Sequence, residues 1–205
     1  MNETVTQQDT PESTTPNSSR PWAAVLTAAG VLMRLVPHPW HLTPAGGAGL
    51  FSGARMPLPQ ALLATLGTYL AVDVVLAAVT KWPFFHSSLP FVYGCLALNV
   101  LIGRWLLTRS ASPLRIGAAS LLAAVQFFLL TNFGVWLTAA LNPAAALMPY
   151  PPTWAGLVEC YTAALPFFRG TLAGDLLYSA ALFGAFAWLT ARAPAAETTR
   201  VRDNV

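Results

Sequence analysis

Apolar residues fill this chain in long unbroken runs instead of alternating with polar ones, and the runs set the element count. Residues 61–80 form a 20-residue run whose one charge is Asp73. Residues 116–141 form a 26-residue run with no charge, and residues 171–190 a 20-residue run containing Asp175. Residues 91–107 make 17 positions, at the lower end of the ~17–25 that cross a hydrocarbon core. Two shorter runs precede these: 22–36, stopping at Pro37, and the Gly-rich 42–54. Glycine and proline at membrane depth are tolerated where the backbone is buried in protein or lines a cavity. The pattern therefore predicts a short helix, a break at Pro37-His38-Pro39, a second short helix or re-entrant piece, and four longer helices.

Composition sharpens the class. The chain has 205 residues and 19 Asp, Glu, Lys and Arg, or 9%, where a soluble domain carries about 25%. Nine of those charges fall in residues 1–21 and 191–205, leaving ten for the 169 between. Such a middle cannot cover a globular surface. The expectation is an all-α polytopic membrane protein, a six-segment helical bundle, and not a soluble enzyme or a nucleic-acid binder. Residues 1–20 are rich in Thr, Ser, Gln, Asn and Pro and read as a disordered cytoplasmic tail, not a signal peptide. Residues 21–191 read as the membrane domain and 192–205 as a second cytoplasmic tail.

Charge then orients the segments. If all six cross with the N-terminus inside, Arg20, Arg55, Arg109, Arg115, Arg192, Arg200 and Arg202 flank cytoplasmic ends. Among loop-flanking cations only Lys81 and Arg169 fall outside. Cytoplasmic loops carry excess Lys and Arg, so the count predicts a multi-pass protein of the bacterial inner membrane with both termini cytoplasmic. A non-crossing Gly-rich piece spoils the asymmetry.

With that topology the hydrophilic groups gather toward the outer face. Three linkers lie there: Pro37 to His41, Lys81 to Pro90, and Asn142 to Gly170. The last holds a Pro-rich stretch and then residues 154–165, read as a surface helix capped by Thr153 and ended by Pro166. All three histidines, His38, His41 and His86, fall on this side. Thr65, Tyr69 and Asp73 recur every four residues as one stripe, and Cys95, Asn99 and Gly103 form a second. Asp175 and Ser179 form an i,i+4 pair with Tyr178 beside them. Thr131 and Asn132 lie in the outer half of the long helix, and Glu159, Cys160 and Arg169 on the outer loop. Ionisable groups in a bilayer usually face the bundle interior, a partner or a water-filled cavity. The stripes thus predict an outward-opening pocket rimmed by His and aromatic loops.

Other roles stand beside that one. Asp73 has two: an ion pair with Arg34, or ligand contact. Asp175 has the same choice with Arg169. His38 and His41 can satisfy backbone groups freed at the proline break. Cys95 is a small buried apolar residue or a ligand, and a Cys95–Cys160 disulfide would suit an oxidising outer face. Gly46-Gly47-Ala48-Gly49 lacks a following Lys-Ser/Thr, so it is no phosphate loop, and close helix packing explains it better. Ala24 and Ala28 give the first helix a small-residue face. No CxxC or HxxxH occurs, which speaks against a dedicated zinc enzyme.

Several of these motifs carry a resemblance. Arg34-Leu35-Val36-Pro37-His38-Pro39, Leu42-Thr43-Pro44, Thr131-Asn132-Phe133-Gly134-Val135-Trp136-Leu137 and Ala164-Leu165-Pro166-Phe167-Phe168-Arg169-Gly170 with Gly174-Asp175-Leu176-Leu177-Tyr178 resemble a family of small bacterial integral membrane proteins. That family is similar to the substrate-binding S components of energy-coupling-factor vitamin transporters. The resemblance covers roughly residues 30–185; after Pro-His-Pro the family carries Pro-Asn-Phe where this chain has Trp40-His41-Leu42. It implies a six-helix bundle that takes up a vitamin from outside, alone or with an energising partner module. In solitary cobalamin transporters of this type a cysteine thiolate ligates the corrinoid cobalt. By placement Cys95 would do so here, with cobalamin as transported ligand and no intrinsic cofactor. Asp73, Asn99, Asn132 and Asp175 would meet polar groups, and Trp40, Phe85 and Tyr93 would pack on the ring, with His38, His41 and His86 at the rim and Arg169 as a further binding candidate on the outer loop. The rival expectations are a membrane-embedded enzyme using Cys95 or the His and Asp groups, and a structural subunit of a membrane complex.

Overall fold

The structure, a computed structural model, describes residues 20–36, 42–80, 88–142 and 150–192. Among them there are only helices, turns and irregular connections. Helix α1 is Arg20–Leu32, tightening into a 3₁₀ turn over Met33–Leu35. Helix α2 is Ala45–Arg55 and α3 is Leu58–Thr80. Then come α4 (Leu89–Leu107), α5 (Pro113–Leu141) and α6 (Trp154–Arg192). Four of these, α3 to α6, are long and apolar enough to cross a membrane; the apolar stretch of α1 is shorter. The chain is an all-α polytopic membrane bundle.

Local chemistry accounts for the ends. Ser112 and Pro113 start α5, the Ser112 Oγ accepting from the Arg115 N–H at 3.4 Å. Thr153 caps α6 as expected, accepting from the Gly156 N–H at 3.2 Å. Pro57 pushes Met56 into extended backbone (φ −127°, ψ 155°), which ends α2. A single π-turn, Leu63–Gly67, interrupts α3.

Contacts between helices give their directions. Gly30 faces Ala48 while Thr27 Oγ1 reaches Met56 Sδ, so α1 and α2 are antiparallel. Asp175 and Ser179 of α6 meet Gly46 and Gly47, and Phe183 and Phe186 further along meet Phe51, so α2 and α6 run the same way. Gln126 bonds Asn99 while Gly134 meets Phe91, so α4 and α5 are antiparallel. Direction thus alternates through all six elements. Arg20, Arg55, Arg104, Arg109, Arg115 and Arg192 share one end of the bundle, and Arg34 and Asp73 lie at the other.

One expectation needs correction. Residues 154–165 do not form a separate surface helix stopped at Pro166: α6 is continuous for 39 residues with Pro166 inside it. A proline there removes one helical hydrogen bond and strains the turn before it. The packing of α6 along α5 holds both sides in line. The Tyr161 hydroxyl donates to Leu129 O at 2.8 Å, and Phe128 stacks on both Tyr161 and Phe168. In α1 the enclosed seam is Ala23, Thr27, Gly30 and Val31, with Ala24 and Ala28 at its flank.

Candidate functional site

α2 governs the interior. Its 11 residues span about 16 Å, roughly half the ~30 Å hydrocarbon thickness, yet ten of them are buried. Small side chains let the other helices close on its backbone. A Cβ on Gly103 of α4 would overlap the Leu50 main chain, and one on Gly53 would overlap Val100 O. The hydrophilic stripes do face inward, and they face this helix. Thr65 Oγ1 bonds Ser52 Oγ at 2.8 Å, Asn99 lies against Gly49, and Ser179 against Gly47.

Asp175 is 1% exposed and does not meet Arg169, which is exposed. Its carboxylate sits against the first-turn N–H groups of Gly46 and Gly47, where Pro44 offers no capping side chain. A helix N-terminus carries partial positive charge and unsatisfied donors, so the aspartate caps α2 from a neighbouring helix. Gly46 makes room, because a Cβ there would fall on the carboxylate. Asp175 Oδ1 lacks a hydrogen-bond partner. Below it Ser120 Oγ donates to Ser179 Oγ at 3.0 Å and reaches Asp175 O at 3.4 Å.

A second group joins α4 to α5. Gln126 Nε2 donates to Asn99 Oδ1 at 2.7 Å and to Cys95 O at 3.3 Å. Asn99 Nδ2 and Gln126 Oε1 are buried without partners. Cys95 is 1% exposed and free, as is the buried Cys160, so no disulfide joins them. Cys160 Sγ donates to Asn132 O at 3.4 Å, and Asn132 turns its own amide back to Phe128 O at 2.8 Å.

The third group lies at the arginine-poor end. Arg34 Nη1 donates to Asp73 Oδ1 in an ion pair, and the Tyr93 hydroxyl donates to Asp73 Oδ2 at 2.8 Å. The Arg34 guanidinium lies 4.2 Å over the Tyr69 ring, and Tyr69 meets Tyr93 edge-on at 5.9 Å. Of the two roles open to Asp73, the pair with Arg34 is made. The acid side chain is still 17% exposed and the arginine 27%. α1, α3 and α4 each contribute here.

The expected residues thus fall into separate sets. Asp73 and Tyr93 come together, Cys95 and Asn99 share one seam, Asp175 serves α2, and Asn132 and Arg169 join none of these. His38, Trp40, His41, Phe85 and His86 lie outside the described residues. Among the described residues no three His, Cys, Asp or Glu side chains gather as a metal site. Sequence reasoning left Tyr69 and Gln126 out of the site. Tyr69 was visible as the middle of the Thr65–Tyr69–Asp73 stripe, and Gln126 as one of two side-chain amides, with Asn132, in an uncharged 26-residue run.

An alternating bundle closed around a short glycine-rich helix, with a partly exposed polar cluster at its end, defines the class: a small helical integral membrane protein. The chain belongs to the family of unknown function DUF6580, which it matches over residues 15–196. No curated protein and no solved structure matches it.

Proposed function

We propose that the chain is a substrate-binding or uptake protein of the bacterial inner membrane, loaded at the arginine-poor end, with its termini in the cytoplasm. The observation that carries this is the Arg34–Asp73–Tyr93–Tyr69 cluster. It is a charged, hydrogen-bonded and aromatic group from three helices, left partly open where a structural pair would be closed off. By sequence, Arg34 stands three residues before Pro37-His38-Pro39 and Asp73 eight before Lys81. The chemistry suits a small solute with both polar and flat apolar parts. A vitamin is the class to try first, and an energising partner module would drive release.

Native mass spectrometry of protein extracted gently from its own membrane is the direct test. A bound small molecule should be retained by the parent chain and lost in Asp73→Asn and Tyr93→Phe. An adduct unaffected by both would remove the cluster from the binding role. Cobalamin is tested by growth with the vitamin: a corrinoid spectrum should copurify and change in Cys95→Ala. Since Cys95 is 1% exposed, thiolate ligation further requires that its seam open.

A second reading has its own observation. The stripes on α3, α4 and α6 all meet α2 directly, which is what a structural subunit needs to lock its helices. In that case Arg34→Gln and Asp73→Asn lower thermal stability, their effects fail to add by about 1 kcal/mol or more, and no ligand is found.

A further inference from the structure

The arginine-rich end holds a cation that the loading-site reading does not use. Arg55 is the last residue of α2 and half-buried. Its guanidinium lies between α2 and α6, 5.4 Å from the ring centres of both Phe183 and Phe186. Its Nε is buried with no hydrogen-bond partner. Across the contact with α4 stands Arg104, also half-buried. The main chains meet so closely there that a Cβ on Gly53 would lie 3.0 Å from Arg104 N. No carboxylate answers these two charges among the described residues. Asp73 pairs with Arg34, Glu159 lies near the start of α6, and Asp175 sits at Gly46, the opposite end of α2.

A guanidinium is a planar fork of donors matched to carboxylate and phosphate oxygens, and it tolerates partial burial better than an ammonium. Leaving its donors unsatisfied at an interface is costly. An oxyanion at the membrane surface between the helices would compensate it. Basic pockets between membrane helices on the cytoplasmic side bind anionic lipid head groups. The geometry points to a site for the phosphate of an anionic phospholipid, held by Arg55 where the end of α2 meets α6. It holds whether or not the opposite end takes a solute.

Protein in detergent is exchanged into nanodiscs of phosphatidylcholine with graded phosphatidylglycerol, and retained lipid is counted by native mass spectrometry. The parent chain should keep at least one phosphatidylglycerol in preference to phosphatidylcholine. Arg55→Gln should weaken that retention about tenfold, and Arg55→Lys should recover only part of it, since the fork is lost while the charge stays. Arg192→Gln is the control, because that exposed arginine stacks over Trp188 at the same end, 4.0 Å from its centroid, outside the site. Its retention should match the parent. Equal losses in Arg55→Gln and Arg192→Gln would mean general surface charge, and overturn the site. So would protection by inorganic phosphate in phosphatidylcholine alone, which would make the ligand a free anion. Parent-like retention in Arg55→Gln would leave Arg55 only as a complement to its own helix dipole, and overturn it too. If Arg55→Gln fails to fold, the Arg55→Lys titration decides: full parent affinity there refutes a forked contact.

Discussion

Gly103 and Gly184 both sit inside helices, and adding one methyl group to each has opposite consequences. At Gly103 the new Cβ would lie within the Leu50 main chain. Neither helix backbone can yield there without shifting the whole α2–α4 contact, and overpacking of this kind costs at least about 2 kcal/mol. At Gly184 nothing stands within 4 Å, so alanine adds only its helix preference, a gain of about 0.5–1 kcal/mol. Thermal unfolding in detergent should show Gly103→Ala well below the parent chain and Gly184→Ala at or above it. Reversed order would mean that α2 is not held backbone to backbone. Part of this was legible from residue spacing alone. Gly103 continues the Cys95–Asn99 stripe, which placed it on an inward face. The stripe could not reveal that the surface opposite is peptide backbone, because periodicity gives the direction a residue faces and not what it meets.

Between elements the least expected feature is a helix capped from outside. α2 begins after Pro44, which has no side-chain acceptor, and Asp175 of α6 takes that place. The i,i+4 pairing with Ser179 marked Asp175 as inward-facing. Its partner was unreadable because the acceptor and the donors are about 130 residues apart in sequence. Asp175→Asn keeps an oxygen over the Gly46 and Gly47 N–H groups and loses the charge, a cost of about 0.5–2 kcal/mol. Asp175→Leu leaves both donors buried without an acceptor and should cost roughly 2–4 kcal/mol. Equal stability of the two variants would show that the carboxylate does not serve the helix. Pro166 teaches the converse. The sequence rule that proline ends a helix is local, whereas the stacking of Tyr161 and Phe168 on Phe128 flanks the proline on both sides and carries α6 through it.

On the scale of the whole molecule, the run lengths predict six segments; among the described residues six helices alternate in direction, four of them long and apolar enough to cross a membrane. The bundle gathers its described arginines, Arg34 and Arg169 aside, at one end. What the runs did not convey is that the stripes enclose a helix, so that the polar space expected between them is filled by α2 and the open polar cluster is pushed to the end. The proposed orientation puts that end in the cytoplasm on the excess of arginine, and introduced thiols can check it. Cys95 and Cys160 are buried and free, so a membrane-impermeant maleimide should leave the parent chain nearly unlabelled. Trp154, 82% exposed at the arginine-poor end, and Leu114, 84% exposed at the other, are the probes. In intact cells Trp154→Cys should label and Leu114→Cys should not; after permeabilisation both should. The opposite pattern would turn the Arg34–Asp73 cluster toward the cytoplasm. It would then receive solute from inside the cell, and the lipid site at Arg55 would face the outer leaflet.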